Sequence, residues 1–191
     1  MAGTCVTAGR VNLLDSIHNP VRTKLIHLTH YEEYGYCLNN NINSDFSFFL
    51  TSLYLVSGLC QIPLPAKLEP SESGNTMFSK TGGTARGSVG VFTYDLYDHE
   101  KKGADKKIAI MFSVPFDYGM YSNWFAIGVF DRDTNCDYDL YCKMYYSPER
   151  GFVRGKADGL DLTHTDNDIT VKSSMTNSSI ATLKVDVQNM E

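Results

Sequence analysis

The chain has 191 residues, 42% of them hydrophobic and 20% charged, which excludes a disordered class and fits one globular domain with its own core. A formal net charge of −5 excludes nucleic acid as the expected partner, because phosphate-backbone binding needs a basic stripe. Tyrosine occurs 12 times, concentrated between Tyr94 and Tyr146, and its apolar ring with a polar tip suits a half-wet surface.

In chain order, no signal peptide with a long apolar core is evident at the start. Val11, Leu14 and Ile17 recur at helical spacing until Pro20 ends the pattern. Lys24–Thr29 predicts a first strand, and Tyr31 to Ser44 predicts turns centred on Asn39, Asn40 and Asn41. The most apolar run, Phe46 to Cys60, is interrupted by Ser47, Thr51, Ser52, Ser57 and Gly58. It falls short of the ~20 apolar residues of a spanning helix and predicts a buried strand region, with Tyr54–Val56 inside it. Pro63, Pro65, Pro70 and Gly74 mark a long loop.

Beyond Gly82 the pattern turns β-rich. Val89, Val91, Phe92, Tyr94 and Leu96 predict a strand, followed by a charged turn over Asp98 to Lys107. Its Lys101, Lys102, Lys106 and Lys107 read as a solvated hairpin tip, with weak attraction to an anionic surface as the functional alternative. Ile108–Val114 and Trp124–Phe130 are further strands. Asp137–Tyr146 predicts a helix, with Asp137 and Asp139 in its first turn, Lys143 near its end and Pro148 beyond. Tyr138, Tyr141 and Tyr145 share one face, while Leu140 and Met144 share another that would pack on the sheet. At the end of the chain Leu183, Val185 and Val187 alternate with Lys184 and Asp186, which marks a strand with one wet face.

No constellation of catalysis or metal binding emerges. The five cysteines, Cys5, Cys37, Cys60, Cys136 and Cys142, read as free thiols, and the Cys136/Cys142 spacing fits no zinc pattern. Asp131, Asp133 and Asn135 begin like a calcium loop, but Cys136 and Cys142 stand where it needs Gly and Glu. No nucleophile, base and orienter set is present, so the expectation is a non-enzymatic protein without cofactor or metal.

The informative stretch runs Phe112-Ser113-Val114-Pro115-Phe116-Asp117-Tyr118-Gly119-Met120-Tyr121-Ser122-Asn123-Trp124-Phe125. A strand ends at a proline and a loop then presents five large apolar rings or thioethers within nine positions. Such a loop closes the core or meets a partner. With Tyr141-x-x-x-Tyr145-Tyr146 downstream and Gly87-Ser88-Val89-Gly90-Val91 upstream, this stretch resembles the signature of the actinoporins, sea-anemone pore-forming cytolysins with relatives in fish, molluscs and mosses.

That resemblance implies a mainly β fold, an actinoporin-like β-sandwich flanked by short α-helices. It implies a phosphocholine-binding site of Val89, Ser113, Pro115, Tyr121, Tyr141, Tyr145 and Tyr146, and a membrane-contacting patch of Tyr118, Met120, Trp124 and Phe125. The implied partners are choline-headgroup lipids, sphingomyelin membranes above all, with a homo-oligomer on the membrane. Cation-conducting pores, haemolysis, secretion and action at a target-cell membrane are the family expectation. Against that pattern, residues 1–22 form a shortened N-terminal segment and 23–191 the sandwich domain, with an insertion expected at 39–52 whose Phe46, Phe48 and Phe49 need burial. The helical stretch Val11–Asn19 would reach about 14 Å, against a hydrocarbon core of about 30 Å. Met120 stands where lytic members carry a ring, and Glu149-Arg150-Gly151 replaces the family's Arg-Gly-Asp. The alternative is a lectin-like or lipid-binding module of the same fold that makes no pore.

Overall fold

The computed structural model describes residues 33–40, 46–147, 150–166 and 169–189. The helical stretch and strand expected before residue 30 lie outside these residues. Twelve strands and one helix follow in order: β1 (Glu33–Asn40), β2 (Phe46–Ser57), β3 (Leu59–Ile62), β4 (Lys67–Leu68), β5 (Ser73–Ser79), β6 (Ser88–Asp98), β7 (Gly103–Val114), β8 (Trp124–Asp131), α1 (Tyr138–Tyr146), β9 (Phe152–Lys156), β10 (Leu162–Asp166), β11 (Ile169–Met175) and β12 (Thr182–Asn189). They form two six-stranded sheets, ordered β10-β11-β12-β1-β5-β3 and β4-β2-β6-β7-β8-β9. The mainly β architecture expected from the sequence is the one observed.

The β7 run Ile108–Val114 is apolar throughout because both of its faces are covered. Ile108, Ile110, Phe112 and Val114 point into the core between the sheets, where Phe112 stacks on Phe78 at 4.9 Å. Ala109 and Met111 point the other way, into a second core with Val91, Ala126, Phe152 and the helix residues Leu140, Tyr141 and Met144. β12 alternates as expected, with Leu183, Val185 and Val187 buried. α1 is capped by the Asp137 carboxylate, which accepts from Leu140 N at 3.0 Å.

Three sequence expectations are corrected. The turns expected over Tyr31–Ser44 contain β1, which pairs parallel with β12 and antiparallel with β5. Ladder bonds on both sides override the weak strand propensity of Gly35, Asn39 and Asn40. The long loop from Pro63 contains β4 and the start of β5. The charged turn is confined to residues 99–102, and Lys106 and Lys107 lie in β7. Residues 46–52, the second half of the stretch read as an insertion, are part of β2 and pair with β6 and β4. There Phe48 is buried in the inter-sheet core and Phe46 packs against it, while Phe49 stays at the surface.

Lys107 does not sit on a solvated tip. It is buried opposite Asp95 in the β6–β7 ladder, with Nζ 3.9 Å from Asp95 Oδ1. It donates to the Thr134 carbonyl at 2.8 Å, and Arg132 Nε donates to Asp95 Oδ2 at 3.0 Å. This cluster ties the segment leading into α1 onto the sheet. Removing one member strands a buried charge, so Lys107→Ala should lower stability by about 3 kcal/mol. A urea midpoint equal to that of the parent would show that the cluster carries no such weight.

Candidate functional site

The candidate residues meet where β7 ends. Cross-strand register aligns Val89, Ser113, Trp124 and Lys156 in one row over β6, β7, β8 and β9. Strand alternation puts this row on the face that α1 covers, one step beyond Val91, Met111 and Ala126. The last turns of α1 lie over the row. Tyr145 packs on Trp124 with ring centroids 6.3 Å apart, and the rings of Tyr138, Tyr141 and Tyr145 stack along the helix at 6.2 and 5.6 Å. Tyr146 closes edge-on against Tyr145 at 4.7 Å.

This geometry grades the residues by depth. Ser113 and Tyr141 form the floor, 8% and 7% exposed. Val89 and Tyr145 are half-buried, and Tyr146 stands at the rim, 66% exposed. Burial pushes the Tyr141 phenol well above its ordinary range and Tyr145 pushes it the same way, while the Ser113 side chain works against them. The floor therefore presents a neutral hydroxyl at any physiological pH.

The loop 115–123 brings the second group of rings to the same end of the sheet. Asp117 stiffens it by accepting from Gly119 N at 2.8 Å, and Tyr121 N donates to the Asp117 carbonyl at 3.1 Å. Met120 and Tyr121 project outward, 73% and 60% exposed, and Phe116 is exposed beside them under the Lys80 ammonium, 4.9 Å away. The loop's start is held by Gly87, where a Cβ would fall 1.8 Å from the Val114 carbonyl oxygen. Among the described residues, Tyr121 makes no ring contact with the helix tyrosines. Trp124 joins the two groups, because it follows the loop and packs on Tyr145.

One expected member of the lipid-facing patch is corrected. Phe125 is fully buried in the inter-sheet core, since neighbours on a strand point to opposite faces and Trp124 takes the outer one. Tyr118 is partly exposed, and its hydroxyl is engaged by Asn123 Oδ1 at 3.0 Å and the Ser178 carbonyl at 2.9 Å. Met120 and Trp124 keep surface, the latter partly.

Sequence reasoning passed over three residues. Asn123 is fully buried and holds the loop, its Nδ2 donating to the carbonyls of Thr176 and Ser178 at 3.0 and 3.1 Å and its own carbonyl accepting from Ala157 N at 3.0 Å. Arg154 and Lys156 place their cations 5.1 and 5.6 Å from the Trp124 ring centroid. The alternation of Phe152, Arg154 and Lys156 was the available signal for the pair. Asn123 had none, since its partners are distant carbonyls.

A family model of sea anemone cytotoxic proteins matches residues 34–189. Bryoporin from Physcomitrium patens is 30% identical over 145 residues, covering 76% of this chain and 78% of that protein. DELTA-alicitoxin-Pse1b from Phyllodiscus semoni is 37% identical over 93 residues, 48% of this chain but only 38% of that protein's length. Among solved structures the lipid binding protein Nakanori superposes with a TM-score of 0.63 at 12% identity, over 82% of this chain and 70% of that one, a likeness of fold alone. With the matched model spanning both sheets, the loop 115–123 and α1, this chain belongs to the sea anemone cytotoxic protein family, the actinoporins.

Proposed function

We propose that the protein binds the phosphocholine headgroup of membrane lipids, sphingomyelin among them, at the end of the sandwich where the loop 115–123 and the C-terminal turn of α1 converge. The observation that carries this reading is the gathering of Tyr141, Tyr145 and Tyr146 in one ring cluster over Ser113, with Val89 beside Ser113 in the strand row. A quaternary ammonium has no N–H, so only apolar contact and ring faces can hold it, each ring contributing about 0.5–2 kcal/mol. Val89, Pro115 and Tyr121 are the walls for the methyl groups. The hydroxyls of Ser113, Tyr141, Tyr145 and Tyr146 are donors for the phosphate and need no cation.

Exposed Met120, Tyr121 and Phe116 suit the headgroup level of a bilayer, where amphipathic rings and thioethers lose water on one side. The role is binding rather than catalysis. Among the described residues no helix is long and apolar enough to cross a membrane. Assembly of membrane-bound copies into a cation-conducting pore, with haemolysis, is the further activity that family membership supports.

Vesicle flotation tests the site. The parent should float with sphingomyelin–phosphatidylcholine vesicles, and Tyr121→Ala with Tyr145→Ala should lose at least ~10-fold in affinity, from one ring contact and its buried area at each position, while the thermal midpoint stays within a few degrees. Undiminished flotation of the double variant would refute the assignment, and retention on a glycan array without flotation would favour the lectin-like alternative. Dye release from the same vesicles, scored separately, tests the pore.

The Tyr141 phenol supplies a second test. Its folded ionisation lies above that of the unfolded chain, near 10. Its contribution to stability is then complete below about pH 10 and is lost above it, where the unfolded chain ionises first. The thermal midpoint should fall between about pH 10 and 11, and Tyr141→Phe should make that fall shallower. Tyr94, also raised by burial, accounts for a remaining slope. An identical slope in Tyr141→Phe would mean that the phenol is not held neutral by the fold.

A further inference from the structure

Trp124 and Lys156 are cross-strand partners, and Arg154 lies two residues along β9 on the same face. Two protein cations therefore share one indole, at 5.1 and 5.6 Å from its centroid. The Arg154 guanidinium also donates to the Tyr145 carbonyl, at the C-terminal end of α1 where the helix dipole favours positive charge.

Among the described residues no carboxylate lies within ion-pair distance of Arg154 or Lys156. Five cations elsewhere, Lys67, Lys101, Lys106, Lys107 and Arg132, each face an acid. Of the loop acids at this end, Asp117 accepts from Gly119 N at 2.8 Å and Asp158 from Leu160 N at 3.2 Å, and neither forms an ion pair with the two cations. Like charges beside one ring repel each other, and an anion between them relieves that repulsion. A trimethylammonium group at Trp124 would instead add a third positive charge. Trp124 is thus a poor wall for choline and stands beside a good seat for a phosphate.

We infer that Arg154 and Lys156 form an anion-receiving arm of the headgroup site, which makes the protein favour membranes that contain net-negative phosphate headgroups over purely zwitterionic ones. This rests on the headgroup reading above and adds a second lipid class to it. The guanidinium fork suits two phosphate oxygens at once, and the Lys156 ammonium acts as a point charge. A chain carrying −5 overall gains nothing from an anionic surface at long range. The Debye length of about 8 Å at physiological salt hides the distant acids and leaves the local pair to act.

Flotation of the full chain at physiological salt decides the matter. Sphingomyelin–phosphatidylcholine vesicles are compared with the same vesicles containing phosphatidylglycerol, a phosphate headgroup without an amine. The parent should bind the anionic vesicles about 30-fold more tightly, each cation near the surface contributing about fivefold. Arg154→Gln with Lys156→Gln should remove that gain. Arg154→Lys should keep most of it, which a merely structural role for the guanidinium would not allow. Lys101→Gln with Lys102→Gln, at the opposite end of β7, should keep all of it.

Equal binding of the parent to both vesicle types would overturn the inference and leave the choline site standing; binding to neither would overturn both. If the double variant unfolds, Lys156→Gln alone should still cost about fivefold on anionic vesicles, and no loss there overturns the arm. Calorimetric titration with inorganic phosphate alone separates the sources. Binding without vesicles that the double variant abolishes would assign the pair to a free anion and overturn the lipid reading.

Discussion

The covering of one sheet face by α1 is the constraint on which the rest of the molecule depends. A helix of nine residues is too short to be stable by itself in water. It persists because Leu140, Tyr141 and Met144 fill a surface made low by Ala109 and Ala126 and lined by Val91, Met111 and Phe152. The same packing decides where the tyrosines stand. Leu140 and Met144 face the sheet centre, so Tyr141 falls over Ser113 and Tyr145 over Trp124. The hydroxyl-rich site is a by-product of burying an apolar stripe, and its geometry is as rigid as that burial.

Both ends of the helix are fastened, by different means. At its start, Asp137 caps the first turn, and the buried Asp95–Lys107 pair, bonded on its outer side by exposed Arg132, holds the approaching chain through the Thr134 carbonyl. At its end the Arg154 guanidinium takes up the Tyr145 carbonyl, one of the four that a helix leaves without an internal partner. A charge pair sunk beneath the first fastening is costly to desolvate, and the loss of either member would leave the other stranded. The second fastening is half-buried, with the Arg154 cation lying over the Trp124 ring.

Elements whose signals are local were legible in the sequence. The cap, first-turn acids and closing Pro148 marked α1, the two-sided apolar run marked β7, and strict alternation marked β12. β1 was not legible, because Gly35, Asn39 and Asn40 are strand residues only by virtue of partners about 40 and 150 residues away in the chain. The site divides the same way. Its rings stand in one contiguous motif, so their grouping could be read. Their depth could not be read from the motif: Phe125 follows Trp124 directly, and only the phase of β8 shows that one faces out and the other in. Arg154 and Lys156 reach Trp124 through the β8–β9 register alone, and Lys107 is buried because Thr134 and Asp95 happen to surround it.

The exposed loop completes the physical case, because it separates two costs that binding usually meets together. Met120, Tyr121 and Phe116 stay in water although burial of each would contribute about 1.5–3 kcal/mol. The fold leaves that gain unspent. It also removes most of the ordering cost in advance, through Asn123, the Tyr118 hydroxyl and the Asp117 turn, which hold the loop backbone before any partner arrives. A loop of the same composition without these bonds would collapse onto the sandwich or pay in entropy on contact. Held outward and already ordered, it can convert apolar area into affinity at an interface that supplies both a dry side and a polar one, and a lipid headgroup layer has that structure.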